Sequence, residues 1–215
     1  GMAGIYVRED VGGSGLSRLD ATLIFEALAY GCPSIGSFIS IHNMVAWMID
    51  SFGTQEQRQH WLPAMCRMER IASYCLTEPG SGSDAAALKT RAARDGNLWK
   101  INGSKAFISG GGHSDLYLTM VRTGADGPRG VSAIMVEAGT DGLSFGAHGR
   151  KRGWRGAARA GGQFHECEGA AGRPRGEGGG GFRYAMAGLD GGRLNIAASA
   201  LGAAQCALDK ALAYA

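Results

Sequence analysis

The residues best suited to chemistry lie in one run, Tyr74-Cys75-Leu76-Thr77-Glu78-Pro79-Gly80-Ser81-Gly82-Ser83-Asp84. An apolar stretch from Ile71 to Leu76 delivers the chain into a bend made of glycines and hydroxyls. Pro79 fixes its own φ and lacks a donor, while Gly80 and Gly82 allow a tight turn and a close backbone approach to a ligand. N–H groups exposed in such a bend form a concavity for anions, and Thr77, Ser81 and Ser83 add hydroxyls. A phosphate-bearing ligand is its natural occupant. Glycine count alone also fits an ordinary loop. Gly80-x-Gly82-x-x-Ala85 fits a dinucleotide fingerprint as well, but that motif needs a helix to follow at once. Here only Asp84 to Leu88 could begin one. Lys89 to Arg94 alternates, Asp95-Gly96-Asn97 makes a turn, and Leu98 to Ile101 reads as another strand.

Joined to Asn102-Gly103-Ser104-Lys105-Ala106-Phe107-Ile108-Ser109, the run resembles the acyl-CoA dehydrogenase family of flavoproteins. The family's Y-C-x-T-E-P-x-x-G-S-D signature stands here intact. The resemblance extends from Gly4 to about Phe145 and resumes from Phe182 to the end. Ser40 to Met44, Ala46 to Gly53 and Leu189 to Arg193 are most similar to the family's isobutyryl-CoA branch.

That resemblance implies FAD as cofactor and α,β-dehydrogenation of a short or branched-chain acyl-CoA. It implies an electron-transfer flavoprotein as acceptor and a homotetramer as assembly. By motif position, Tyr74, Cys75, Leu76, Thr77, Gly82 and Ser83 would bind the cofactor, with Ser83 also reaching the substrate. Phe107, Ile108 and Ser109 match the family's aromatic–Ile–Thr/Ser triplet beside the flavin; taken alone, Phe107 reads as strand core. Asp190, Gly191, Gly192 and Arg193 match the substrate-contacting turn at a helix start. In some relatives the catalytic carboxylate immediately precedes this Arg. Here that position is Gly192, which cannot take a proton, and in other members the base lies further along than Ala215. No catalytic residue is therefore assigned. Glu78 is the tempting substitute, but in the signature it serves structure and the binding loop. His165-Glu166-Cys167 lacks metal-ligand spacing, and Ser109 with His113 makes no nucleophile motif.

The elements that must position these residues change character along the chain. Ser17 with Asp20 and Thr54 with Gln57 read as capping boxes. Apolar residues at helical spacing follow each, and a broadly apolar helix lies between, its His42 and Asn43 expected as satisfied core groups. Gly31, Pro33 and Gly53 punctuate the helices, and the third is expected to run through Trp61. Near Arg70 the period becomes alternating. Strands are expected at Ile71–Leu76, Ala87–Ala93, Leu98–Ile101, Lys105–Ile108, Leu116–Arg122, Val131–Val136 and Leu143–Phe145, with turns that include Asn102-Gly103. The fold class expected is α+β: a helical segment over 1–70, a small antiparallel barrel or sandwich over 71–180, and the start of a helical bundle over 181–215. Residues 147–181 are anomalous in their Gly, Ala and Arg content, which suggests either a corrupted reading frame or divergence into a disordered loop. From Phe182 a helix is expected to break at Gly191-Gly192 and a second to run from Arg193 to Ala215.

Bulk composition is less specific. The chain has 215 residues, 45% of them apolar, and a net charge of +3, too small to imply nucleic acid. Five scattered cysteines without a C-x-x-C pair suggest reduced thiols inside a cell. No run approaches the ~20 apolar residues of a membrane helix. The expectation is a soluble protein, cytoplasmic in a bacterium or in the mitochondrial matrix of a eukaryote, with no membrane or nucleic-acid partner. The first residues read as mid-domain sequence.

Overall fold

Two reciprocal caps start the helices as expected. Ser17 Oγ accepts the Asp20 amide at 3.2 Å, and the Asp20 carboxylate accepts the Ser17 amide at 2.9 Å. They open α1, Arg18–Gly31. Pro33 takes the first position of α2, Pro33–Phe52, where a missing N–H costs nothing. Thr54 and Gln57 cap α3, Gln55–Cys66, which continues through Pro63 beyond the expected end. Buried Leu62 and Met65 hold that last turn against the core. On α2, His42 and Asn43 are satisfied core groups. His42 Nδ1 accepts the Ala72 amide at 3.1 Å, so Nε2–H donates to the Met65 carbonyl at 3.2 Å. Asn43 accepts from the Ile5 amide and donates to the Met2 and Ile39 carbonyls.

The computed structural model describes residues 1–96, 98–169 and 180–215. Its strands are β1 (Ala72–Cys75), β2 (Arg91–Asp95), β3 (Leu98–Ser109), β4 (Leu116–Arg122), β5 (Val131–Glu137), β6 (Leu143–Phe145) and β7 (Arg159–Gly169). They form one curled sheet in the order β1-β4-β2-β3-β7-β6, with β5 also on β4. The sheet is mixed, because β1 runs parallel to β4. The helix α4, Gly181–Tyr214, closes the fold against α1 and α2. One apolar cluster joins α2 and α3 to β1, β4 and α4, and a second fills the curl of the sheet with Ile101, Ile108, Tyr117 and Phe164.

Four expectations are corrected. Asn102-Gly103 is no turn: β3 runs straight through, with a register shift opposite β7 between Ile101 and Gly103. Gly103 sits at φ +148°, and a Cβ there would lie 2.6 Å from Thr90 Oγ1. The strand expected from Ala87 begins only at Arg91, because Ala85–Ala87 form a single 3-10 turn. Within the anomalous stretch, 159–169 is a strand paired with β3 and β6, not a disordered loop; the residues from 170 to 179 lie outside the described residues. Its small residues suffice because neighbours supply the bulk. A Cβ on Gly162 would meet Phe145 at 3.3 Å, and one on Gly169 would meet Ile134 at 2.5 Å. Finally, Gly191-Gly192 does not break α4. These glycines are contact points: a Cβ at Gly191 would collide with Arg18, and one at Gly188 with Met48 Sδ at 2.7 Å.

Candidate cofactor and substrate site

The bend after β1 is a closed backbone loop. Glu78 and Ser81 exchange main-chain hydrogen bonds at 2.9 and 3.2 Å, and Ser81 Oγ donates to the Asp84 carbonyl at 2.6 Å. Neither Gly80 nor Gly82 uses a left-handed φ, and a Cβ at either would meet open space. Their value is therefore clearance rather than conformational freedom. Only the short 3-10 turn follows, so no helix springs from the bend as a dinucleotide fold requires.

Four hydrogen bonds bind β1 and this bend to the end of β3. The Ala106 amide donates to the Thr77 carbonyl at 2.8 Å. Lys105, 1% exposed, donates from Nζ to the Leu76 carbonyl at 3.0 Å and to Glu78 Oε1 at 2.8 Å. Ser73 Oγ donates to the Ser109 carbonyl at 2.5 Å. The two candidate motifs, thirty residues apart in the chain, are thus one unit. Glu78 also accepts the amides of Lys89 at 2.6 Å and Thr90 at 2.9 Å. Burial alone would raise its pKa, but Lys105 and those amides outweigh burial and hold the carboxyl below its ordinary value. With both oxygens occupied and the residue 7% exposed, Glu78 is a strut and not a proton acceptor.

Within this unit the candidates divide by face. Phe107 is 72% exposed at φ +59°, in the irregular part of β3 between Lys105 and Ile108. A large aromatic held outward in a left-handed conformation is costly without a partner, so the strand-core reading of Phe107 fails. Gly82 and Ser83 are exposed beside the bend, and Thr77 is half-buried. Cys75 and Ile108 face the other way, into the core of the sheet. Burial pushes the Cys75 thiol up to about 12. Only main-chain atoms of Cys75 and Ile108 remain for a ligand. Leu76 and Ser109 are buried at the edge of the unit. Tyr74 Oη is buried without a hydrogen-bond partner, and burial raises its pKa. An exposed strained aromatic, an orphaned phenol and two glycines facing open space fit a flat polar cofactor such as FAD.

Asp190 and Arg193 lie one turn apart on α4, exposed and paired with each other at 2.9 Å. The preceding turns carry Phe182, Met186 and Leu189 onto the apolar cluster that also holds Tyr74, Leu76 and Ala85. The helix is thereby registered to the bend through shared core. Sequence reasoning missed an open pocket of about 420 Å³ beside the bend, lined by 86–89, Arg91, Arg122, Asp126 and Gly127. Arg122 is buried and spent on the carbonyls of Ala86, Leu88, Ala125 and Gly127, so it shapes the pocket wall. Exposed Lys89 and Arg91 leave cations at its mouth. Among the described residues no group of His, Cys, Asp or Glu could hold a metal ion, and no helix is long and apolar enough to cross a membrane.

Three domain models of one family match the chain: Acyl-CoA dehydrogenase, N-terminal domain over residues 1–69, middle domain over 73–167, and C-terminal domain over 179–215. The chain belongs to the acyl-CoA dehydrogenase family. It is 53% identical to the mitochondrial isobutyryl-CoA dehydrogenase of Bos taurus over 100% of its length and 51% of that protein. The Dictyostelium discoideum isobutyryl-CoA dehydrogenase, also mitochondrial, is 57% identical over 97% of this chain and 50% of its own. Butyryl-CoA dehydrogenase from Megasphaera elsdenii superposes with a TM-score of 0.94 at 34% identity, covering 100% of this chain and 57% of that one. A glutaryl-CoA dehydrogenase from Mycobacterium smegmatis, solved in complex with FADH2, gives 0.90 at 28% identity, with 100% and 54% covered. The chain spans about half the length of the curated relatives it matches.

Proposed function

We propose that this chain carries the FAD-binding and acyl-CoA-binding part of a dehydrogenase acting on a short branched acyl-CoA, with isobutyryl-CoA as the expected substrate. The observation that carries the reading is the junction of bend and triplet: Thr77 and Glu78 of the bend are hydrogen-bonded to Ala106 and Lys105, which directly precede an outward Phe107. Bound flavin would supply the two-electron acceptor for the hydride leaving the β-carbon. The chain's own residues orient and enclose. Thr77 and Ser83 offer hydroxyls, Phe107 offers an apolar face, and Gly80 and Gly82 leave room for close approach. Lys89 and Arg91 suit the phosphates of coenzyme A. Asp190 and Arg193 would contact the substrate from α4. The α-proton acceptor is assigned to none of these residues. An electron-transfer flavoprotein as acceptor and a homotetramer as assembly belong to the same reading, as does a mitochondrial-matrix or bacterial cytoplasmic site.

Anaerobic reconstitution tests it. The chain should retain FAD on gel filtration, and isobutyryl-CoA should perturb or bleach the flavin's visible band. A chain that retains no flavin sinks the reading. The closed Glu78 and the side-chain-free Gly192 favour a second reading for this stretch alone, a binding module without catalysis. Bound FAD that shifts but stays oxidised would favour it, whereas peroxide release would indicate an oxidase.

A further inference from the structure

Arg18 stands at a place that no motif singles out. Its guanidinium carbon lies 4.2 Å from the Trp47 ring centroid and 4.7 Å from that of Tyr6. Its Nη1 is buried and has no hydrogen-bond partner. The space that Nη1 fills is the one a side chain at Gly191 would need, since a Cβ there would lie 1.3 Å from Nη1 and 2.4 Å from Cζ. On the next turn Asn195, 1% exposed, donates to Tyr6 Oη at 3.3 Å, and its Oδ1 also lacks a partner. A cation lying over two ring faces, with Nη1 against a bare helix backbone, can act as a spacer. The residues flanking that backbone are Asp190 and Arg193.

We propose that Arg18 is a positioning residue. Stacked between Tyr6 and Trp47, it seats α4 through Gly191 and thereby sets where Asp190 and Arg193 meet the acyl-CoA. This rests on the functional reading above. The pair is complementary in shape: a Cβ at position 191 would collide with the guanidinium, so glycine admits it, and the cation lies there without a hydrogen bond from Nη1. Ordinary helix packing would use an aliphatic side chain here, with no reason for a buried unpaired N–H.

The test is a double-mutant cycle with a binding readout, on the full chain. Gly191→Ala should lower the melting temperature by about 5 °C or more in wild type and by far less in Arg18→Met, where the flexible thioether yields. By calorimetry, Arg18→Met should bind isobutyryl-CoA about tenfold more weakly while holding FAD as wild type does. Arg18→Lys, which keeps charge but not the stacked plane, should fall between them. Equal cost of Gly191→Ala in both backgrounds overturns the clamp. Unchanged isobutyryl-CoA affinity in both Arg18 variants overturns the positioning role. A wild-type chain that binds no isobutyryl-CoA instead sinks the functional reading, and the positioning role with it, while the cycle still judges the clamp.

Discussion

At the scale of the residue, two buried polar groups make the sharpest predictions. Glu78 and Lys105 join the bend to β3, and each has further partners of unequal strength. Glu78→Gln leaves a buried ammonium facing a neutral amide, a loss of about 3–5 kcal/mol. Lys105→Met leaves the carboxylate with two backbone amides and an apolar neighbour, so urea unfolding should find it the less costly of the two. His42 is held neutral. Burial, which disfavours the charged ring, lowers its pKa against the opposing pull of its backbone contacts, and protonation would also put a second N–H against the Ala72 amide. A depressed folded pKa gives stability that is complete above the unfolded value of 6.5 and is lost as pH falls below it. The loss should approach about 1.4 kcal/mol per pH unit until the folded value is reached. In His42→Gln, whose amide can both accept from Ala72 and donate to Met65, stability between pH 7 and 5 should be flatter than in wild type.

At the scale of the element, α4 decides how the helices meet. From Gly188 onward its buried positions are Gly188, Gly191, Asn195, Ala198, Ser199 and Gly202, while Leu194, Leu201 and Leu208 are exposed. A Cβ on Gly202 would sit 2.0 Å from the Glu26 carbonyl oxygen on α1 and 3.1 Å from the Tyr30 amide nitrogen. Backbone atoms cannot swing aside as a side chain can. Gly202→Ala should therefore cost about 1–3 kcal/mol by urea unfolding, despite Ala's better helix propensity. Gly82→Ala is the contrasting case. Its Cβ would enter open space, so the unliganded chain should change by less than about 0.5 kcal/mol. If the proposed site is right, FAD affinity should nonetheless fall, because the new methyl would enter the open space left for the ligand. Equal affinity for FAD would remove Gly82 from the site.

At the scale of the whole molecule, α2, α3 and α4 share with β1, β4 and β5 one apolar cluster that registers α4 to the bend, while hydrogen bonds from Lys105 and Ala106 register β3 to the bend. The buried Arg58 ties the same body together at its far side, reaching Asp50 at 2.8 Å on α2 and Asp10 at 2.6 Å near the N-terminus. Such a frame suits the proposed site, whose three separated segments each adjoin an element packed on core.

Much of this was legible along the chain. The capping boxes, β4, β6 and the satisfied pair His42 and Asn43 follow from local rules of hydrogen bonding and period. The Tyr74–Asp84 signature, joined to Asn102–Ser109, carried the family. What the linear reading lost were glycines and small residues whose meaning depends on a neighbour. Gly191-Gly192 reads as a break, yet α4 passes through it because Arg18 and Met44 need the space. Gly103 reads as a turn, yet Thr90 makes it a close approach within a continuous strand. The stretch 159–169 lacks the bulk expected of a strand, and β3, β6 and β5 provide it from outside. Taken alone Phe107 reads as core, whereas the family triplet puts it beside the flavin, and the backbone geometry of β3 turns it outward. Hydrogen-bonding pattern and period are properties of a segment, and a segment announces them. The absence of a side chain is a property of the space around it, which exists only once the chain has folded.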